Sequence, residues 1–271
     1  MTGDTWNAQQ YLKFADDRLR PFLDLVAQME PGAEAEDTRT VVDLGCGPGN
    51  ATALLADWWP QARIVGVDSS PAMIEAAQEH AIPGRVEFEL GDVRDWHPDS
   101  KPDVILANAV LQWVPGHLDL IGELAAQLAP GGLFGFQVPG NFEAPSHLAL
   151  AEVKNAWAGR ISADIDQPAS HDPAVYLEKL VEAGLEPDVW ETTYTYVIPS
   201  DPDPSVPCGV TEFIRGTALR PAVQALGEAA AAEFIADYDA LVRRAYPVRE
   251  LGARTVQLLP YRRIFAVGRA A

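Results

Sequence analysis

The sequence predicts an α/β fold built on a seven-stranded, doubly wound sheet, with helices at the N-terminus and a helical insertion before the last strand. From Thr40 onward, short apolar segments alternate with segments whose apolar residues recur at helical spacing. Strands that alternate with helices form a parallel sheet covered on both faces. A glycine-rich turn follows the first predicted strand, at the position where such sheets bind ligands.

Seven segments are predicted to be strands, most because they are short apolar runs and VWETTYTYVI because its apolar residues alternate with polar ones. In chain order they are TVVDLG from Thr40, RIVGVD from Arg63, VEFEL from Val86, DVILANA from Asp103, LFGFQV from Leu133, VWETTYTYVI from Val189 and RRIFAVGR from Arg262. Between the last two, residues 199–258 hold a Pro-rich loop and helical stretches. This interval is too long for a hairpin, and we expect it to be an insertion that covers the active site.

Helices are predicted from apolar spacing and from their start residues. Ser70-Pro71 pairs a cap residue with proline at the first helical position, and Asp172-Pro173 begins a later helix in the same way. Two sets of apolar residues are expected to face the core: Ala51, Leu54, Leu55, Trp58 and Trp59 after the first strand, and Tyr176, Leu177, Leu180 and Val181 after Pro173.

Length and composition indicate one soluble, globular domain. We divide its 271 residues into an N-terminal helical cap (1–38), a cofactor-binding core (39–140) and a substrate-side part (141–271). The opening MTGDTWNAQQ is polar, and no apolar run approaches the ~18 residues of a membrane span. Two cysteines cannot form a disulfide framework. We therefore expect a cytoplasmic protein that does not contact membranes.

The strongly acidic charge restricts the partners. With 39 acidic and 20 basic residues, the formal net charge is −19. Nucleic-acid binding needs a basic face, so we expect none. This charge would repel an anionic small molecule, but salt screens the repulsion beyond about 8 Å. A few arginines could therefore still determine the charge of a binding pocket. We expect a small-molecule substrate and no obligate protein partner.

The sharpest motif is DLGCGPG, Asp43–Gly49, at the end of the first strand. Its glycines let the backbone turn tightly and approach a ligand closely. Asp68 ends the second strand about 20 residues later, where a ribose-binding acid belongs. A nicotinamide-dependent oxidoreductase is the serious alternative, but G-x-G-x-x-G is not met because the third glycine comes one position early. The compact loop after Asp43 favours a cationic ligand without phosphates.

Together with VDSSPAMI, Gly91-Asp92-Val93 and Asn108 followed by Gln112-Trp113, this motif resembles the class I methyltransferase family. The resemblance implies a Rossmann-like fold and S-adenosylmethionine as cofactor, with no metal. It implies that the glycine loop lies against the methionine moiety, that Asp68 holds the ribose hydroxyls and that Asp92 binds the adenine amino group. The implied cofactor site comprises Asp43, Gly45, Cys46, Gly47, Gly49, Asp68, Ser69, Met73, Asp92, Val93, Asn108 and Trp113.

A narrower resemblance covers nearly the whole chain, to bacterial enzymes that esterify one carboxylate of a small tricarboxylic acid. Its segments include Trp6-Asn7, ANAVLQWVP, WETTYTY, GTALRP and RRIFAV. It implies a tricarboxylate substrate, for which arginine is the fitting partner because its guanidinium matches carboxylates bidentately. The implied substrate-binding residues are Arg20, Arg220, Arg262 and Arg263, with Tyr194 and Tyr196 as hydroxyl donors.

We expect no catalytic acid or base, because a carboxylate with a pKa near ~4 is already ionised at neutral pH. Proximity and orientation would then carry the methyl transfer. Cys46 is expected to pack beside the cofactor, and the five histidines show no metal-ligand spacing. Three alternatives remain open: a methyltransferase for another small carboxylate or a malonyl thioester, the oxidoreductase, and a non-catalytic module that binds S-adenosylmethionine.

Overall fold

The structure is a computed structural model that describes residues 15–29, 38–161 and 169–271, and the side chains from Leu19 onward within these ranges. Trp6-Asn7 of the narrower resemblance and residues 30–37 lie outside the described residues.

The central sheet confirms the predicted strands. They are β1 (Thr40–Leu44), β2 (Arg63–Asp68), β3 (Val86–Leu90), β4 (Val104–Asn108), β5 (Leu133–Pro139), β6 (Leu185–Pro199) and β8 (Arg254–Ala270), and a short β7 (Arg249–Leu251) pairs with β8. The order is β3-β2-β1-β4-β5-β8-β6. Strands β1 to β5 are parallel, and β8 runs antiparallel to β5. Doubly wound sheets commonly carry such an antiparallel strand near one edge.

Helices connect these strands and fill the interval before the last one. They are α1 (Ala15–Met29), α2 (Leu55–Trp58), α3 (Pro71–Ala77), α4 (His117–Ala125), α5 (Pro145–Ala156), α6 (Pro173–Glu182), α7 (Gly209–Arg215), α8 (Arg220–Ala225) and α9 (Glu228–Ala245). The last three lie between β6 and β8, which confirms the predicted helical insertion. None of the described helices is long and apolar enough to span a bilayer.

Two predicted helical faces differ from the structure. On α6, Tyr176 and Leu180 are fully buried, whereas Leu177 and Val181 are 42% and 55% exposed. Leu177 and Val181 lie about 100° around the helix axis from Tyr176 and Leu180, outside the face that packs on the core. The predicted burial of Leu177 and Val181 is therefore wrong. After β1 the chain forms a 3-10 turn (Thr52–Leu54) before the four residues of α2, and Leu55 and Trp59 are buried while Leu54 and Trp58 are half-buried.

The described residues group into two compact units. The first takes in the described parts of Met1–Pro139, Ser170–Glu191 and Arg263–Ala271, and the second those of Gly140–Ala169 and Thr192–Arg262. In the first unit, β1, β4 and β5 are buried along nearly their whole length. Such strands are rigid and place the residues at their carboxyl ends accurately. In the second unit, α9 packs on α5, and the Tyr238 hydroxyl donates to the Ser146 carbonyl oxygen at 3.1 Å.

Candidate functional site

A cleft with an empty volume of about 520 Å³ opens in the first unit, at the carboxyl ends of β1 and β4. The described lining residues are Leu19, Phe22, Asp43, Gly45, Cys46, Gly47, Pro48, Asn50, Ala51 and Asn108. Five of the predicted cofactor-site residues therefore meet in one place, four from the glycine loop and one from the end of β4.

The glycine loop is held to the neighbouring strand and leaves space for a ligand. The amides of Gly45 and Cys46 both donate to the Val67 carbonyl oxygen, at 2.7 and 3.0 Å. Gly47 has a φ of +56°, and a Cβ placed on it would meet no atom within 4 Å. Gly49 also has a positive φ, but its Cβ would lie 2.7 Å from the Phe88 ring. Gly47 thus borders open space, whereas Gly49 is required for packing.

Asp68 joins the glycine loop to the start of α3. Its Oδ2 accepts a hydrogen bond from the Gly47 amide and its Oδ1 one from the Ser70 amide, both at 2.9 Å. Burial raises the pKa of Asp68, and these two hydrogen bonds partly offset that rise. Since a carboxylate offers about four lone-pair sites, Asp68 can hold the loop and still accept hydroxyl protons from a ligand.

Asp43 brings an unusual carboxyl group to the cleft. It is 2% exposed, and the Thr52 hydroxyl donates to its Oδ2 at 2.6 Å. Burial raises the pKa of Asp43 to about 7, against a lowering by the Thr52 hydrogen bond and with a further rise from the charge of Asp68. A bound cation would favour the ionised form of this carboxyl. The cleft therefore suits a ligand that carries positive charge.

Five further residues of the predicted cofactor site lie beyond the lining of this cleft: Ser69, Met73, Asp92, Val93 and Trp113. Met73 and Val93 are buried, at 2% and 8% exposure, while Ser69 is exposed and Trp113 half-buried. The Asp92 carboxylate accepts hydrogen bonds from the Arg94 side chain, which lower the pKa of Asp92. The Gly91 amide donates to the Asp68 carbonyl oxygen at 3.0 Å. This bond ties the loop that carries Asp92 to the end of β2.

Cys46 lines the cleft without being activated. Its thiol is buried, and burial raises the pKa of Cys46 well above its usual range, as do the charges of Asp43 and Asp68. A thiol held in its neutral form is a poor nucleophile. Within the described ranges, no three His, Cys, Asp or Glu side chains are grouped so that they could hold a metal ion.

The predicted substrate-binding residues are distributed between the two units. In the first, Arg20 is exposed on α1, and Arg263 is 7% exposed on β8 and donates from Nη1 to Gln137 Oε1 at 3.1 Å. In the second, Arg220 is half-buried at the start of α8, and Arg262 donates to the Gly140 carbonyl oxygen at 3.3 Å. Their binding roles remain predictions.

Tyr194 and Tyr196 belong to an aromatic cluster of the second unit. Both rings are buried, at 3% and 5% exposure, and they stack on each other. Tyr196 also packs against Phe213 and Tyr261, with ring centroids 5.5 and 5.8 Å apart. Their rings therefore stabilise the core of this unit, and donation from their hydroxyls to a substrate stays a prediction.

Sequence reasoning missed the contribution of helix α1 to the cleft. Leu19 and Phe22 line it, and Phe22 is only 1% exposed. The signal was present, since Leu19, Phe22, Val26 and Met29 recur at helical spacing and mark one apolar face. Such a face predicts burial but does not reveal which surface covers it.

Comparison with known proteins identifies the family. Residues 41–132 match the family model described as a methyltransferase domain. Among solved structures, the YcgJ protein from Bacillus subtilis is 17% identical, with a TM-score of 0.59 over 91% of this chain and 98% of that one. Geranyl diphosphate C-methyltransferase from Streptomyces coelicolor is 15% identical, with a TM-score of 0.51 over 96% and 80%. These two likenesses establish the fold.

Curated relatives match over nearly the full length. Trans-aconitate 2-methyltransferase from Streptomyces avermitilis is 44% identical over 97% of this chain and 96% of its own. The enzyme of the same name from Streptomyces coelicolor is 45% identical over 99% and 88%, and that from Azoarcus sp. is 43% identical over 97% and 98%. The match includes the segments on both sides of the cofactor motifs. The chain belongs to the trans-aconitate 2-methyltransferase family.

Proposed function

We propose that this chain transfers the methyl group of S-adenosylmethionine to one carboxylate of trans-aconitate, forming a monomethyl ester and S-adenosylhomocysteine. The observation that carries the proposal is the full-length match, at 42 to 45% identity, to enzymes named for that substrate. Both cysteines are buried free thiols, which fits our placement of the reaction in the reducing cytoplasm.

The cleft fits this cofactor on its own geometry. Open space beside Gly47 lets a ligand approach the backbone, and Asp43 provides a carboxyl that a cation would ionise. We assign Asp43 to the positively charged methionine end and Asp68 to the ribose hydroxyls. Asp92, Met73 and Val93 are proposed to hold the adenine.

The reaction needs position more than acid–base chemistry. When bound, S-adenosylmethionine supplies a methyl group on cationic sulfur, and a carboxylate oxygen forms the ester C–O bond as the C–S bond breaks. The carboxylate is already ionised at neutral pH, so the chain has no proton to remove. Its side chains hold the acceptor in line and exclude water, which can lower the barrier by about 7–11 kcal/mol.

A methyl-transfer assay across a panel of acids tests the proposal. The panel contains trans-aconitate, cis-aconitate, citrate, succinate and a malonyl thioester, and we expect trans-aconitate to give the highest kcat/KM. A preference for the thioester would contradict the substrate assignment and leave the methyltransferase assignment intact. Calorimetry with S-adenosylhomocysteine and NAD completes the test, because tight NAD binding alone would indicate an oxidoreductase.

Cofactor affinity should depend on pH through Asp43. With its pKa raised to about 7, this carboxyl stays protonated below neutrality and must ionise to pair with a cation. We expect S-adenosylhomocysteine to bind about tenfold more weakly at pH 6 than at pH 8. Asp43→Asn should bind weakly with a flatter pH profile, measured by calorimetry. An unchanged profile in this variant would contradict the assignment of Asp43.

The same raised pKa affects stability in the opposite direction. Between about pH 4 and pH 7 the folded protein holds a proton that the unfolded chain has lost, so the free energy of unfolding falls as pH rises through that window. Urea unfolding at pH 5 and pH 7.5 should show a smaller decline for Asp43→Asn than for the wild type.

Alanine at two neighbouring glycines should separate binding from stability. Gly47→Ala places a methyl group where no protein atom lies within 4 Å, in the space that the cofactor is proposed to occupy. We therefore expect S-adenosylhomocysteine to bind at least about tenfold more weakly. The positive φ of Gly47 should cost alanine about 1 kcal/mol of unfolding free energy. Gly49→Ala meets the Phe88 ring and should cost about 2–4 kcal/mol of stability. Calorimetry and urea unfolding measure both. Wild-type affinity in Gly47→Ala would place the cofactor elsewhere.

A further inference from the structure

Three polar side chains form a hydrogen-bonded row across neighbouring strands of the first unit. Arg263 Nη1 on β8 donates to Gln137 Oε1 on β5 at 3.1 Å, and Gln137 Nε2 donates to Asn108 Oδ1 on β4 at 2.8 Å. Arg263 and Gln137 are 7% and 1% exposed, and Asn108 lines the cleft. The next strand beyond Asn108 is β1, which carries the glycine loop.

The Arg263 guanidinium determines how the amide groups of Gln137 and Asn108 are oriented. Arginine has only donors, so the oxygen of the Gln137 amide must face it. The nitrogen of that amide then faces Asn108 and requires an oxygen there. The Oδ1 atom of Asn108 is therefore bonded to Gln137. The Nδ2 group of Asn108 is then the part of its amide that can donate a hydrogen bond to a ligand in the cleft.

The backbone after Asn108 is constrained as well. Ala109 has a φ of +55°, which a residue other than glycine rarely adopts. Its amide donates to the Gln137 carbonyl oxygen at 2.8 Å, and its own carbonyl oxygen accepts from Gln112 Nε2 at 2.6 Å. Backbone held in this region is concentrated at functional sites. The two bonds fix the peptide that carries the Asn108 side chain.

We propose that Asn108 is an acceptor-binding residue whose Nδ2 donates to one oxygen of the carboxylate to be methylated, and that Gln137 and Arg263 are positioning residues that fix the polarity of its amide. A hydrogen bond on one carboxylate oxygen would turn the other toward the methyl group. The inference rests on the proposed function and adds to the acceptor-binding role predicted for Arg263.

The resemblance implied a cofactor-site role for Asn108, and this inference assigns it instead to the acceptor, on its donor character and its position. The cofactor's cationic centre and ribose hydroxyls call for hydrogen-bond acceptors and negative charge, which Asp43 and Asp68 provide. Carboxylates call for donors. Because the cofactor also carries one, at its methionine end, the position of Asn108 decides between the two reactants. Asn108 stands in sheet order between the glycine loop of β1 and the guanidinium of β8, where the two reactants must meet.

Asn108→Asp tests the donor directly, because it replaces Nδ2 by an oxygen of nearly the same size. At pH 8 we expect KM for trans-aconitate to rise about 100-fold, with the S-adenosylhomocysteine dissociation constant within about threefold of wild type. Lowering the pH protonates the new carboxyl and restores a donor. At pH 5 about a tenth of a carboxyl with the ordinary pKa near ~4 is protonated, so the ratio of variant to wild-type kcat/KM should rise about tenfold between pH 8 and pH 5. A merely structural role would not produce this recovery.

Gln137→Glu tests the positioning residue. Glutamate still accepts from Arg263 but cannot donate to Asn108, so the Asn108 amide turns its nitrogen toward Glu and presents oxygen to the acceptor. We expect KM for trans-aconitate to rise about 30-fold. Gln127→Glu is the matched control, because Gln127 donates to the Trp96 carbonyl oxygen away from the cleft lining. It should keep the wild-type KM.

The outcomes separate this inference from the proposed function. If the wild type methylates no carboxylate of the panel, the proposed function is wrong and the inference is wrong with it. If the wild type is active and both variants fold, bind S-adenosylhomocysteine and keep the wild-type KM, the inference alone is wrong. If S-adenosylhomocysteine binding weakens in parallel with KM, Asn108 serves the cofactor and the acceptor assignment is overturned.

Discussion

Replacing Arg263 with methionine should lower kcat/KM for trans-aconitate by the equivalent of about 2–5 kcal/mol, the largest effect expected in this protein. Methionine keeps most of the apolar stem but removes the charge and the guanidinium fork. Arg263 is only 7% exposed, and salt screens an ion pair between a buried guanidinium and a carboxylate only weakly. The loss of its hydrogen bond to Gln137 would also release the orientation of Asn108.

Steady-state kinetics and calorimetry measure this effect, and a substitution of a second arginine on the same strand is the control. Arg254→Met changes an exposed guanidinium on the same strand and should cost well under 1 kcal/mol. The S-adenosylhomocysteine dissociation constant should stay near wild type in both variants, which would show that the cofactor cleft is intact. Wild-type efficiency in Arg263→Met would place the anion site elsewhere, with Arg220→Met as the next variant to measure.

Replacing Asp68 with alanine should weaken S-adenosylhomocysteine binding by about 100-fold, or close to 3 kcal/mol. The substitution removes the proposed acceptor of the ribose hydroxyls. It also leaves the Gly47 and Ser70 amides without the oxygens that they bond at 2.9 Å, so the glycine loop loses its tie to α3.

Two further variants separate these contributions. Asp68→Asn keeps an oxygen for one amide and should lose affinity with a smaller change in unfolding free energy. Asp95→Ala removes an exposed acid from the loop after β3 and should leave the dissociation constant unchanged. Wild-type affinity in Asp68→Ala would show that Asp68 serves only to shape the turn.

Local pattern was sufficient to predict the strands and the cofactor motif. Burial on both faces makes β1, β4 and β5 continuous apolar runs, and the glycines of Asp43–Gly49 mark a turn whatever surrounds it. Both features depend on residues close together in the chain. Parallel neighbours bring their carboxyl ends to one edge of the sheet, but Asp43 meets Asn108 there because β1 pairs with β4, a pairing that local pattern does not predict.

The remaining features depend on contacts between distant segments. Leu19 and Phe22 line the cleft because α1 covers it, whereas their spacing predicts only an apolar face. Leu177 and Val181 are exposed because the core covers a narrower stripe of α6 than its apolar residues span. Arg263 and Gln137 lie 126 residues apart, and their hydrogen bond exists because β8 pairs antiparallel with β5 in one register. A shift of that register by one residue would turn Arg263 to the opposite face of the sheet, and this choice is made by packing across the whole sheet.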